Sequence, residues 1–180
     1  MARILAGLKR LASRTNLPVQ VAAVCYRQSD SSVEFLLVKT SSGKWTFPKG
    51  RLSASMTPSQ SAAREAWEEA GVRGQIAERH FGWYLDSKRT LGSEARTREF
   101  RIVTFLLEVH STVDPEENGR KPTWFAARHA KRCLAEGRHS IYAKQIASIV
   151  DSAVEHLNTS QKRRSTLMMR ARSRHFVPAG

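Results

Sequence analysis

Three features of the sequence predict an α/β domain: short strand-like apolar runs separated by turn residues, one helix whose start and stop are both spelled out, and two later stretches with helical apolar spacing. The strand-like runs come first. Val19 to Tyr26 and Val33 to Lys39 flank the polar Gln28-Ser29-Asp30-Ser31-Ser32 loop and read as a hairpin. Ser41-Ser42-Gly43 turns the chain into Trp45-Thr46-Phe47, and Pro48-Lys49-Gly50 is expected to break that strand. A helix follows, with Thr57 as N-cap, Pro58 in the first helical position, Gln60 completing a capping box, and Gly71 as the stop. Further strands are expected around Gly74 to Asp86 and Phe100 to His110, on either side of a basic, mobile-looking segment from Ser87 to Arg98. Asp114 to Pro122 reads as a loop. Trp124-Phe125 leads into a helix near Ala126 to Ala135, and Ile141 to Leu157 forms another with Ile146, Ile149, Val150, Ala153 and Val154 on its apolar face.

At 180 residues and 41% apolar content the chain can close one good core but not two full domains. The expected division is a basic amphipathic segment at 1–16, a single domain at 17–157, and a basic, largely disordered tail at 158–180. In the first segment Ile4, Leu5, Leu8 and Leu11 recur at helical spacing opposite Arg3, Lys9, Arg10 and Arg14. Packing on the domain, lying on an anionic surface and serving as an organelle presequence all stay open for it.

The net charge of +14 is concentrated at the ends: ten of the 30 basic residues lie in 1–16 and 158–180, with none of the 16 acidic ones. The middle carries 20 basic against 16 acidic residues, which suits a polyanionic substrate without demanding one, while the tails suit RNA or an anionic membrane. No apolar run approaches the roughly 20 residues of a membrane span, and no secretory signal opens the chain, so a cytoplasmic location is expected. Cys25 and Cys133 give neither a disulfide framework nor a ligand spacing and read as buried thiols. The histidines show no zinc spacing, and neither a Gly-x-Ser-x-Gly elbow nor a Walker-type loop is present.

The stretch that carries chemistry runs from Gly50 through Met56 to Arg64-Glu65-Ala66-Trp67-Glu68-Glu69-Ala70-Gly71-Val72. On a helix Glu65, Glu68 and Glu69 stand at i, i+3 and i+4 and share a face, where three like charges repel one another. A hard divalent cation relieves that repulsion, and magnesium takes carboxylate oxygens together with waters and substrate phosphates. Ala63, Ala66, Trp67 and Ala70 are expected to bury the other side against a sheet. A solvated acidic helix face is the plainer alternative. Against it stand Arg64, four residues before Glu68, the glycine-bounded entry loop and the capped start.

This run resembles the Nudix box: a glycine, five residues, a glutamate, seven residues, then Arg-Glu-apolar-x-Glu-Glu-x-Gly-apolar. Met56 stands where the box has its first glutamate. The resemblance extends over about residues 17–157 and implies an α/β/α sandwich with a mixed sheet, whose helix presents the carboxylates beside lysines aimed at phosphates. It implies that Glu65, Glu68 and Glu69 ligate metal, that one of them takes a proton from water, that Arg64 orients them, and that the Gly50 carbonyl adds a ligand. The approach Trp45-Thr46-Phe47-Pro48-Lys49-Gly50 is similar to the branch that handles diphosphoinositol polyphosphates and diadenosine polyphosphates.

The implied function is magnesium-dependent hydrolysis of a phosphoanhydride bond, with manganese as a substitute ion, in a highly phosphorylated small molecule. Glu68 and Glu69 are read as ion ligands, Glu65 as ligand or proton acceptor, and Lys44, Lys49 and Arg51 as partners of substrate charge. The family's further acid outside the box points to Glu116 or Glu117, with Glu99 and Glu108 behind them. Lys88, Arg89, Arg96, Arg98 and Arg101 read either as a lid or as the flank of an exposed hairpin. Of Trp83 and Tyr84, at strand spacing, one is expected in the core. Two other functions remain: a non-catalytic phosphate-binding module, and an RNA-associated protein bound through its basic tails.

Overall fold

The computed structural model describes residues 17–28, 32–89 and 97–174. The amphipathic segment expected at 2–14 and Arg96 lie outside these residues.

Among the described residues eight strands form one mixed sheet in the order β3-β2-β1-β7-β5, with β4 on β1, β6 on β7 and β8 on β2. They are β1 Val19–Gln28, β2 Val33–Lys39, β3 Trp45–Thr46, β4 Lys49–Arg51, β5 Val72–Ile76, β6 Gly82–Arg89, β7 Thr97–Thr112 and β8 Thr123–Ala126. Among the described residues β1 and β7 run parallel and the other pairs are antiparallel. The described helices that cover the sheet are α1 Pro58–Ala70, α2 Ala127–Ala135 and α3 Ser140–Arg174.

Strand alternation sorts the core into two clusters. Ala22, Val24 and Tyr26 of β1 face Leu134, Ile146, Ile149, Val150 and Ala153 of α2 and α3. Val21, Ala23 and Cys25 face Ala62, Ala66 and Ala70 of α1. The result is the expected α/β/α sandwich. Cys25 and Cys133 are both buried, as expected, and desolvation pushes both thiols up. Tyr84 is fully buried while its neighbour Trp83 is half exposed.

The parallel pairing with β7 takes one edge of β1 along Val19 to Tyr26, so β2 and β4 share the other edge. β2 pairs at Tyr26 to Gln28 and β4 at Gln20 to Ala22. The Pro48 carbonyl accepts from Ala23 N–H between them at 3.0 Å. This corrects the reading of Pro48-Lys49-Gly50 as a plain break: proline ends β3, and the chain then re-enters the sheet as β4.

Two further expectations change. Ser87 to Arg98 is ordered strand at both ends, with Lys88 opposite Arg98 and Arg89 opposite Thr97, so its described part is a hairpin flank. The tail expected from residue 158 is helical through Arg174, because Thr159 to Arg174 contains neither glycine nor proline and a formed helix propagates easily. Leu157 is its last buried residue among those whose exposure is described.

Helix α1 has the predicted limits. The Thr57 hydroxyl accepts from Gln60 N–H at 3.2 Å, and the Gln60 side chain accepts from Thr57 N–H at 2.9 Å. Gly71 ends the helix in the left-handed conformation, φ 65°. A Cβ there would lie 2.1 Å from the Val113 carbonyl oxygen, because Val113 N–H donates to the Gly71 carbonyl at 2.8 Å. Gly71→Ala therefore combines left-handed strain of about 1–2 kcal/mol with a backbone collision. Urea denaturation is expected to show a loss at least that large, and an unchanged midpoint would remove this role.

Candidate active site

Helix α1 lies close to the sheet because its contact residues are alanines: Ala62, Ala66 and Ala70 are fully buried. That arc also carries Glu65 and Glu69, which are 8% and 3% exposed. The carboxylates are thus turned towards the sheet rather than lying opposite its contact face. Of the other residues expected to pack there, Ala63 and Trp67 lie at the border of the interface. Trp67 instead holds Arg73 against its ring at 3.7 Å and donates to Glu116 at 2.7 Å. Glu68 points outward beside Arg64, whose Nε lies 3.4 Å from Glu68 Oε1 and whose Nη2 lies 3.5 Å from Glu65 Oε1. Arg64 thus lies beside two of the carboxylates on the solvent side.

Strand β4 passes beneath them. Gly50 has no side chain, and a Cβ in its place would sit 2.1 to 2.2 Å from the carboxyl atoms of Glu65. The neighbouring Lys49 N–H donates to Glu69 Oε2 at 3.1 Å. The Lys49 ammonium turns to Asp86 of β6 at 3.4 Å, a contact that loop charge alone did not reveal. Arg51 is exposed at the end of β4, opposite Gln20. Lys44, in the turn before β3, has its Cε near Gly137.

The loop after β7 closes the site. Its backbone is tied to the end of α1 by Glu117 N–H donating to the Glu68 carbonyl at 2.9 Å. This separates the two acids expected from outside the box: Glu116 is held by Trp67, whereas Glu117, though exposed, pairs with Arg120. Arg120 joins Glu117 to Glu69, with Nη2 2.6 Å from each carboxylate and Nε donating to Glu117 at 2.7 Å. Glu99 accepts from Tyr142 and Glu108 from Tyr26, so neither belongs to this group. The sequence reading missed Arg120. The Asn118-Gly119 turn before it was the available signal, since Gly119 takes φ 81° and folds the loop back on itself.

Burial dominates the electrostatics. Glu65 is held above the usual carboxylate range by desolvation and then by Glu68, with Arg64 opposing. Glu69 is pushed up to about 7, again chiefly by burial, although Arg120 and Lys49 pull it down. Two desolvated carboxylates and a third acid brought in by a loop form an oxygen donor set that fits a hard divalent ion, with a backbone cradle that a Cβ would fill beside it and a guanidinium now drawn between the acids. Among the described residues no three His, Cys, Asp or Glu side chains converge as a ready-made cage.

The NUDIX domain family model matches residues 17–145. Diphosphoinositol polyphosphate phosphohydrolase 2 of Rattus norvegicus is 31% identical over 132 residues, spanning 69% of this chain and 67% of that protein. The Homo sapiens protein of the same name is 30% identical over the same spans. Among solved structures, a C. elegans Ap4A hydrolase binary complex aligns over 79% of this chain and 99% of its own, with TM-score 0.55 and 18% identity. The NUDIX domain of Shewanella oneidensis NrtR, complexed with ADP ribose, aligns over 78% and 88%, with TM-score 0.56 and 15% identity. At those identities the structures share the fold.

The raised Glu69 carboxyl gives a testable pH dependence. Between about pH 4.5 and 7 the folded protein keeps on Glu69 a proton that the unfolded chain has released, so stability falls as pH rises through that window. In chelator, Glu69→Gln is expected to flatten this decline by on the order of 3 kcal/mol between pH 5 and 7.5. Urea titrations at both pH values check it, and an unaltered decline in the variant would count against the buried state of this group.

Proposed function

This chain belongs to the NUDIX domain family as a hydrolase, and from that premise we propose that it cleaves phosphoanhydride bonds in a densely phosphorylated small molecule with the help of magnesium, for which manganese substitutes. A diphosphoinositol polyphosphate or a dinucleoside polyphosphate is the favoured substrate class. The single observation that carries this reading is the burial of Glu65 and Glu69 against β4, with Glu69 pushed up to about 7. A chain gains nothing in stability from placing two acids out of water, so the arrangement points to a cation that they receive.

Glu68 and Glu69 are assigned as the side chains that hold the ion, with Glu117 completing the set from the loop. When bound, the ion neutralises phosphate oxygens and lowers the pKa of the attacking water. Glu65 accepts the water's proton. Its burial and the nearby Glu68 charge raise its basicity, and Gly50 leaves room for the carboxylate to sit where it does. Arg64 fixes the orientation of Glu65 and Glu68. Lys49 and Arg51 supply positive charge on the strand beneath, with Lys49 held in place by Asp86. The names of the relatives, diphosphoinositol polyphosphate phosphohydrolases, and the net excess of basic residues in 17–157 support a substrate of high charge density.

The test is phosphate release from diphosphoinositol polyphosphates, dinucleoside polyphosphates, nucleoside triphosphates, sugar nucleotides and capped RNA, with and without magnesium. Glu65→Gln, Glu68→Gln and Glu69→Gln are each expected to lower turnover by on the order of 100-fold or more. Gly50→Ala is expected to fold normally and to lose a comparable factor, because the atoms nearest its new Cβ belong to the movable end of Glu65. Tight binding of one compound with no turnover of any would replace the enzyme by a binding module.

A further inference from the structure

We propose that Arg120 is a built-in counter-ion that occupies the divalent-ion position until the ion arrives, so that the guanidinium and the ion compete for Glu69 and Glu117. This rests on the divalent-ion reading given above. The geometry is unusual for a loop arginine. One nitrogen, Nη2, lies 2.6 Å from Glu69 Oε1 and 2.6 Å from Glu117 Oε2, and Nε reaches Glu117 again at 2.7 Å. A single cationic group therefore bridges an acid of the helix and an acid of the loop.

Glu69 is on α1 and its carboxylate takes the Lys49 N–H, while the backbone of Glu117 is tied to the Glu68 carbonyl. Without a positive charge between them the two would repel, and water screens the pair only from the side of Glu117, which is 45% exposed, since Glu69 is buried. Arg120 supplies that charge. A guanidinium is broad and planar, whereas a divalent ion is compact and draws its oxygens to within about 2.1 Å. With the guanidinium between them the acids stay apart, which agrees with the lack of a converged cage among the described residues.

Arg120 is also built to leave. Its carbonyl accepts from Lys39 N–H at 2.6 Å, which anchors the backbone, while its side chain is 25% exposed and has an open route to solvent. Only an ion with two charges on a small radius gains enough from these carboxylates to displace a paired guanidinium, so the exchange also discriminates against monovalent ions.

The test is Mn2+ binding to the full chain, read by electron paramagnetic resonance of the free ion and by calorimetry, with no substrate present. Arg120→Gln is expected to bind Mn2+ about tenfold more tightly than the unchanged protein, the worth of one charge-assisted hydrogen bond. Its metal-free form is expected to melt lower and to gain more from added Mn2+. Arg120→Lys, which keeps the charge on a nitrogen unable to match the bridging fork, is expected to fall between the two and carries the test if the glutamine variant does not fold. Equal or weaker Mn2+ binding in a folded Arg120 variant overturns the proposal. Absence of Mn2+ binding in the unchanged protein overturns the ion reading itself, a result distinguishable from the first.

Discussion

Glu65 and Glu69 rest against strand β4 out of water, and most of what is specific in this domain serves to make that possible. Burying a carboxylate costs several kcal/mol unless its oxygens find partners, and α1 itself gives Arg64 while the rest come from elsewhere. The partners arrive from three parts of the chain. Gly50 gives space, Lys49 gives a backbone N–H, Arg64 pairs from the solvent side, and Arg120 comes from the loop between β7 and β8.

The sheet topology delivers these partners to one place. Parallel pairing with β7 occupies one edge of β1, which forces the opposite edge to be shared and brings the three residues of β4 under α1. The far end of β7 leads into the loop that carries Glu117 and Arg120. Gly71 joins the two halves, since its left-handed turn both ends α1 beyond Glu69 and accepts the N–H of Val113. With the Glu117 N–H on the Glu68 carbonyl, carboxylate helix and closing loop are fixed to each other at two points of the backbone.

This explains which parts were legible in the sequence. Helix α1 is bounded by local chemistry, so Thr57, Pro58, Gln60 and Gly71 mark it without reference to the rest of the chain, and the spacing of Glu65, Glu68 and Glu69 follows from it. The hairpin and the later helices carry the same kind of local signal. Strand β4 does not, because Lys49-Gly50-Arg51 has no strand pattern and is made a strand by the free edge of β1. Its glycine reads as a loop until Glu65 is seen against it. Arg120 lies 51 positions beyond Glu69, and no periodicity links two residues whose contact depends on the β7 crossover. The helical run past Leu157 was masked for the opposite reason: polar, basic composition argued for disorder while the residues themselves are adequate helix formers.

Met56 shows how far a missing motif residue matters when its structural duty is met elsewhere. It is 39% exposed and contributes no carboxylate to the loop between Gly50 and α1. That loop is held instead by Ser53 N–H donating to the fully buried Ser61 hydroxyl at 3.1 Å, by a contact between the Ser53 and Ser55 hydroxyls at 3.2 Å, and by the Met56 N–H to the Ser53 carbonyl at 3.3 Å. The capping box then fixes the first turn of α1. Nothing in this chain of contacts passes through the side chain at position 56. Glu65 and Glu69 are placed by the alanine face of α1 and by β4, both independent of the loop's composition. The departure from the box therefore removes one negative charge from the loop without loosening Glu65 and Glu69.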